Sequence, residues 1–215
     1  MRQLSLSAAL LALALTGAPA AAEGERAGVF DYYVLALSWS PSFCTLEGDA
    51  RGADQCDPRH DHSFTLHGLW PQYERGWPSH CSSTARDPSR RETAAMADIM
   101  GSGGLAWHQW KKHGRCSGLP AADYLEASRN AYEAVTIPPV LARLERDVTL
   151  PAKVVEEAFL EANPGLTAPG ITITCEAGMI REARICLTRD LQFRPCGADV
   201  ALDCSLPDAL MQAVR

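Results

Sequence analysis

Eight cysteines, Cys44, Cys56, Cys81, Cys116, Cys175, Cys186, Cys196 and Cys204, all lie downstream of an N-terminal stretch that reads as an export signal. An even number of thiols in a chain bound for an oxidising compartment fits four disulfides, so the chain must fold in a way that brings its cysteines together in pairs. Arg2 gives the signal its basic start, Leu4 to Leu15 its apolar run, and Ala20-Ala21-Ala22 a small-residue cleavage site. Residues 1–22 are therefore expected to be removed, leaving 23–215 as one domain, periplasmic or secreted. The apolar run is short for a membrane span, and no later stretch reaches ~20 uninterrupted apolar residues, so the mature chain should be soluble. A zinc site is the alternative use of the cysteines. No Cys-x-x-Cys pair supports it.

The segments between the cysteines read as a mixture of strands and helices joined by loops. Phe30 to Trp39 (FDYYVLALSW) has the length and apolar content of a buried central strand. Pro41, Gly48, Gly52 and Pro58 then predict a loop, with Cys44 and Cys56 as a plausible local bridge. Ser63 to Pro71 (SFTLHGLWP) reads as a second strand with Phe64, Leu66 and Gly68 on one face and Thr65 and His67 on the other. Arg91 to Met100 predicts a helix ended by Gly101-Ser102-Gly103-Gly104, and Ala121 to Val135 a longer one. Pro138-Pro139 would start a short helix reaching Arg146, and Thr149 would cap another running to about Ala162. Ile171 to Glu176 and Met179 to Thr188 alternate with period two about Ala177-Gly178, an antiparallel hairpin, with a third short strand at Gln192 to Arg194. Nested bridges 175 to 204 and 186 to 196 would tie that hairpin to the tail, although spacing alone does not choose among connectivities.

Polar chemistry concentrates in Trp107 to Cys116 (WHQWKKHGRC). On a helix, ~100° per residue puts His108, Gln109, Lys112 and His113 on one side, with Trp107 and Trp110 opposite as anchors in a core. Two imidazoles and an ammonium on one side suit a phosphate. The competing reading is a basic surface helix. His67, followed by Gly68 and the rigid Trp70-Pro71, is a third histidine of interest.

Taken together, FTLHGLWP and WHQWKKHGRC resemble the two active-site segments of the ribonuclease T2 family of exported RNA endonucleases, and YYVLALSWSPSFC and the C-terminal cysteine pattern extend the resemblance over most of the mature chain. The resemblance implies an α+β fold, a central antiparallel β-sheet with flanking α-helices stapled by disulfides, and cleavage of single-stranded RNA with weak base specificity, without metal or other cofactor, by a monomer with no membrane partner. It implies His113 as general base, His67 as general acid, His108 as a phosphate ligand and Lys112 as stabiliser of the transition-state charge. Trp70 would stack on a base, with Gln72 and Tyr73 beside it at the substrate. Cys81 would pair with Cys116. Gln109 stands where the family has a glutamate, and an amide cannot raise the pKa of His113 or Lys112 as a carboxylate would.

Without its signal the chain has 19 basic and 26 acidic residues, net -7, against the whole chain's -6. That argues against tight nonspecific binding to nucleic acid but leaves room for a few cations at one phosphate, for which Lys111, Lys112 and Arg115 are candidates. Two other readings compete: a catalytically impaired member that binds RNA or a protein, resting on Gln109, and a metal-binding protein using His60, His62, His67, His108 and His113.

Overall fold

The computed structural model describes residues 25–215; the expected export signal, residues 1–22, lies outside the described residues. A six-stranded sheet forms the frame: β1 (Tyr32–Trp39), β2 (Phe64–Gln72), β3 (Val148–Leu150), β4 (Ile171–Glu176), β5 (Met179–Leu187) and β6 (Ala209–Met211). Strands run in the order β2-β1-β5-β6-β3, with β4 also paired to β5. Pairings are antiparallel except for one parallel β5–β6 contact at Met179 and Leu210. Every residue of β1 is buried, as its unbroken apolar run predicts.

Helices cover one face. They are α1 (Ser40–Phe43), α2 (Asp49–Arg51), α3 (Arg90–Ala94), α4 (Ala97–Met100), α5 (Gly103–Lys112), α6 (Ala121–Glu133), α7 (Pro139–Ala142) and α8 (Ala152–Ala162). The main core lies beneath them, where Leu35, Leu37, Leu66, Leu69, Ala183 and Ile185 from the sheet meet Trp110, Tyr124 and Phe159 from the helices. The opposite face of the same strands carries Val34, Trp70 and Cys186 in a smaller cluster. Among the described residues, no helix is long and apolar enough to cross a membrane.

A bulge in β2 decides which side chains reach that second face. Pairing runs Ala36 with Gly68, then Leu37 with Leu66, so His67 is the extra residue. One inserted residue inverts the alternation beyond it. Leu66 and Leu69 therefore both enter the core, while His67, Trp70 and Gln72 share the other side. Strict alternation would have sent Trp70 into the core with Leu66.

Several local expectations are corrected. Residues 40–51 are helical, with a π-helical turn at Cys44–Gly48, where a loop was expected. The helix expected over 91–100 breaks at Ala95 and Met96 into α3 and α4. Helix α7 stops at Ala142, well short of Arg146. Thr149 caps nothing, because it lies in β3, paired with Leu210, and α8 begins after Pro151. Residues 192–194 add only a single bridge, Leu187 to Phe193. Disulfides join Cys44 to Cys56, Cys81 to Cys116, Cys175 to Cys204 and Cys186 to Cys196.

Candidate active site

A cleft of about 370 Å³ opens on the sheet face opposite the main core, lined by His67, Trp70 and Gln72 from β2 and Glu182 and Arg184 from β5. Its other wall is the end of α5, with His108, Gln109, Lys112 and then His113. A second cavity of about 530 Å³ shares His67 and His108 with it, so the two histidines stand where two hollows meet.

Local sequence explains the placement of α5. Ser102 caps it by accepting from Leu105 N–H, and the helix ends at Lys112. His113 leaves helical geometry at φ -121°, which turns its ring inward. Gly114 must follow, since a Cβ there would lie 2.6 Å from the Trp110 ring and 2.7 Å from Tyr124. Three residues on, Cys116 is tied to Cys81, and the neighbouring His80 N–H bonds the Lys112 carbonyl at 2.8 Å.

The two histidines with expected proton-transfer roles sit in opposite settings. His67 Nδ1 meets Glu182 Oε1 at 2.5 Å, and Arg184 closes on the other carboxylate oxygen at 2.7 Å. Burial works to raise the Glu182 carboxyl, but the hydrogen bond and charge of His67 and the Arg184 guanidinium outweigh it and keep the group ionised. His113 is buried, and its Nδ1 has no hydrogen-bond partner among the described residues. Burial first, then the Lys112 cation and the other histidines, pushes its pKa down to about 3. The same causes, in the same order, hold His108 below the ordinary imidazole range.

Trp70 stands between these histidines. Its ring stacks on His113 at 5.2 Å and meets His67 edge-on at 5.1 Å, with the Arg184 guanidinium 5.5 Å away. Its indole N–H donates to Gln109 Oε1 at 2.8 Å. The expectation that Trp70 stacks on a base therefore meets a ring already occupied by protein.

Other expected residues fall elsewhere. Tyr73, one position past Gln72, takes the opposite parity and packs against the main core, outside the cleft. The indole with a free surface at the cleft is Trp77, 57% exposed. Trp107 is 40% exposed with Lys111 over its ring, so of the two tryptophans it is Trp110 that anchors α5 in the core. Arg115 is held by Asp87, which leaves Lys112 as the α5 cation in the cleft. His60 and His62 stack on each other beside a separate hollow, so the five histidines are not gathered at one place.

Glu182, Arg184 and Trp77 were missed by sequence reasoning. Glu182 and Arg184 read as the polar side of an alternating strand. The signal for Trp77 was a tryptophan between Gly76 and Pro78, where the chain turns at the surface.

The cleft of this mixed α+β chain gathers histidines, a lysine and a buried carboxylate, groups that can exchange protons and counter an anion's charge. The ribonuclease T2 family model matches residues 30–196, and the chain belongs to that family and is an endoribonuclease of its type. A ribonuclease of Aeromonas hydrophila is 35% identical over 90% of each chain. Ribonuclease I of Escherichia coli is 29% identical over 55% of this chain and 60% of its own. The structure of an RNase-related protein from Calystegia sepium superposes with a TM-score of 0.67 over 86% of this chain and 97% of that one, at 21% identity.

Proposed function

We propose that this endoribonuclease cleaves single-stranded RNA with its own side chains as acid, base and electrophile, and with weak base specificity. RNA carries the nucleophile, the 2'-OH beside the phosphodiester. His113, neutral in its buried setting, takes that proton as the O2'–P bond forms. His67, held against an anionic carboxylate, gives its proton to O5' as the P–O5' bond breaks. The products are a 2',3'-cyclic phosphate and a 5'-OH. In a second step water attacks the cyclic phosphate with the roles reversed, leaving a 3'-phosphate. Lys112 and His108 face the phosphate. Burial, and after it the Lys112 cation, holds His113 down, and an entering anion offsets the Lys112 part, making His113 a stronger base as substrate arrives. The two joined hollows give nucleotides room on both sides of the scissile bond, with Trp77 and Gln72 against one of them.

The observation that carries this reading is the contrast between His67, paired with a buried carboxylate, and His113, buried with the cation of Lys112 nearby. Glu182 can compensate the charge of His67 while that ring carries the proton to be delivered, and the buried setting of His113 leaves its ring neutral and free to accept one. Four disulfides fit action in an oxidising compartment, periplasmic or extracellular. Incubating wild type, His67→Ala and His113→Ala with RNA in EDTA tests the mechanism. Wild type should cleave and both variants should lose about 10³-fold or more in kcat; rapid cleavage by either variant overturns the roles, and no cleavage by wild type overturns the reading.

A further inference from the structure

Helix α5 borders two hollows besides the cleft, one on either side of its first turn. Leu105 and His108, three residues apart, line the hollow of about 530 Å³ that also holds His67. Gly103, Gly104 and Trp107, spaced by four and three, line the next, a hollow of about 520 Å³ walled by Arg90, Thr93 and Ala94. The ridge between them is bare backbone. A Cβ on Gly104 would meet nothing closer than Ser102 Oγ at 3.9 Å, so this stretch of ridge is open, and Gly103 lies so near α3 that a Cβ would stand 3.0 Å from Ala94 Cα. The 520 Å³ hollow suits a polyanion. On a chain with 26 acidic residues its lining has none, whereas Glu47 and Asp54 line the hollow beside His67. Arg90 is exposed in its wall, and Lys111 stands over the Trp107 ring at 5.8 Å. Neither cation makes an ion pair among the described residues, unlike Arg115, which Asp87 holds. Trp107 itself is 40% exposed, an indole with open ring surface.

The roles of the two histidines give a strand its direction. His67, the acid, lines both the cleft and the hollow beside Leu105, while His113, the base, lines the cleft and not that hollow. The nucleotide that loses its 2'-OH proton therefore sits in the cleft, and the one whose O5' receives a proton lies toward Leu105. From there the chain runs 3' across Gly103 and Gly104 to the ring. Aromatic rings flanked by cations serve as stacking platforms for single strands and tolerate any sequence, because every base has a π-face. We propose that Trp107 is a binding site outside the cleft, on which a base of the same RNA strand stacks, 3' of the cut and past the first downstream nucleotide. The grip is on the base, with Arg90 and Lys111 keeping the hollow favourable to the backbone that carries it. This inference rests on the ribonuclease reading and on the acid and base roles given above.

DNA oligonucleotides carrying a single ribonucleotide test it, since one bond alone then has the 2'-OH that cleavage needs. The shortest substrate has one nucleotide on the 3' side of that bond, and the others lengthen it on the 3' side or on the 5' side. For the wild type, kcat/KM should rise about tenfold as the 3' tail grows and less than about threefold with a 5' tail. A 3' tail of abasic units, which keeps the phosphates and lacks the bases, should give little of that gain. Trp107→Ala should abolish the gain while cutting the shortest substrate within about threefold of the wild-type rate, and Trp107→Phe, which keeps a ring, should retain most of it. The proposal is overturned by a wild type indifferent to the 3' tail, by an abasic tail as good as a normal one, or by a gain that survives in Trp107→Ala. Equal losses on the shortest and longest substrates would overturn it too, as damage to α5. Should Trp107→Ala fail to fold, Trp107→Leu keeps an apolar side chain without the ring and decides instead. A wild type inactive on these substrates and on RNA would sink the ribonuclease reading, and the proposal with it.

Discussion

His67 and His113 are the same residue type put to different uses by their neighbours, and the difference has a measurable signature. Burial and Lys112 push His113 down to about 3, so the free enzyme keeps this ring neutral well into acid. The acid limb of kcat/KM reports the free enzyme's base, so it should fall well below the ~6.5 of an unperturbed imidazole. A limb at 6.5 or above would show that the base is another group or that His113 is open to water. The same shift has a stability consequence of fixed sign. Between about 6.5 and 3 an unfolded chain binds a proton at His113 that the folded one refuses, so this residue makes the fold less stable as pH falls through that window. His67, His108, Lys112 and His113 were legible because their residue types and short spacings carry the chemistry directly. Glu182 was not, since the partner of His67 lies 115 residues further along and a single Glu in an alternating strand looks like a solvated side chain. Tyr73 was misplaced because the parity of β2 depends on a bulge that no periodicity reveals. Trp77 was missed because it lies past the strand, in a surface turn with no periodic pattern.

At the level of elements, the site depends on holding the end of α5 against the bulged strand. The Cys81–Cys116 bridge pins the chain three residues past His113, and the His80 N–H bond to Lys112 ties the same loop to the last turn. A Cys81→Ser/Cys116→Ser variant should lose roughly 3–4 kcal/mol of stability from a loop of this length. If the bridge also positions His113, the folded fraction should turn over about tenfold more slowly, because small misplacements of catalytic groups are costly. Chemical denaturation and kcat corrected for the folded fraction measure the two effects; wild-type turnover would mean that the bridge stabilises without positioning. The elements with strong local patterns, β1, β2, α6 and the β4–β5 hairpin, were readable from period and turn residues. Those that exist through distant pairing were not. Strands β3 and β6 are three residues each and form by pairing Val148 to Leu150 with Ala209 to Met211, which turned an expected helix cap at Thr149 into sheet.

For the whole molecule, the question is how an acidic protein handles a polyanion. The full chain carries a net charge of -6, and several of its cations are spent on internal pairs: Arg115 on Asp87, Arg86 on Glu92, Arg129 on Asp98, Arg194 on Glu74. In the cleft, Lys112 stands beside Arg184, which is bound to Glu182, and His108 and His113 are both shifted toward the neutral form. That arrangement neutralises one or two phosphates. Release of counterions from a single strand goes as about 0.7 per phosphate contacted, so log kcat/KM on a long RNA should fall against log salt with a slope of roughly -0.7 to -1.4. A weak dependence of this kind suits an enzyme that must let its cut strand go, with repulsion from the acidic surface speeding departure. The slope is measured from initial rates between low and physiological salt, with a dinucleotide as the short reference. A slope of about -3 or steeper on the long RNA alone would show that the strand is held by phosphate contacts beyond the cleft. The cations outside it, half-buried Lys111 over Trp107 first among them, would then be the place to look.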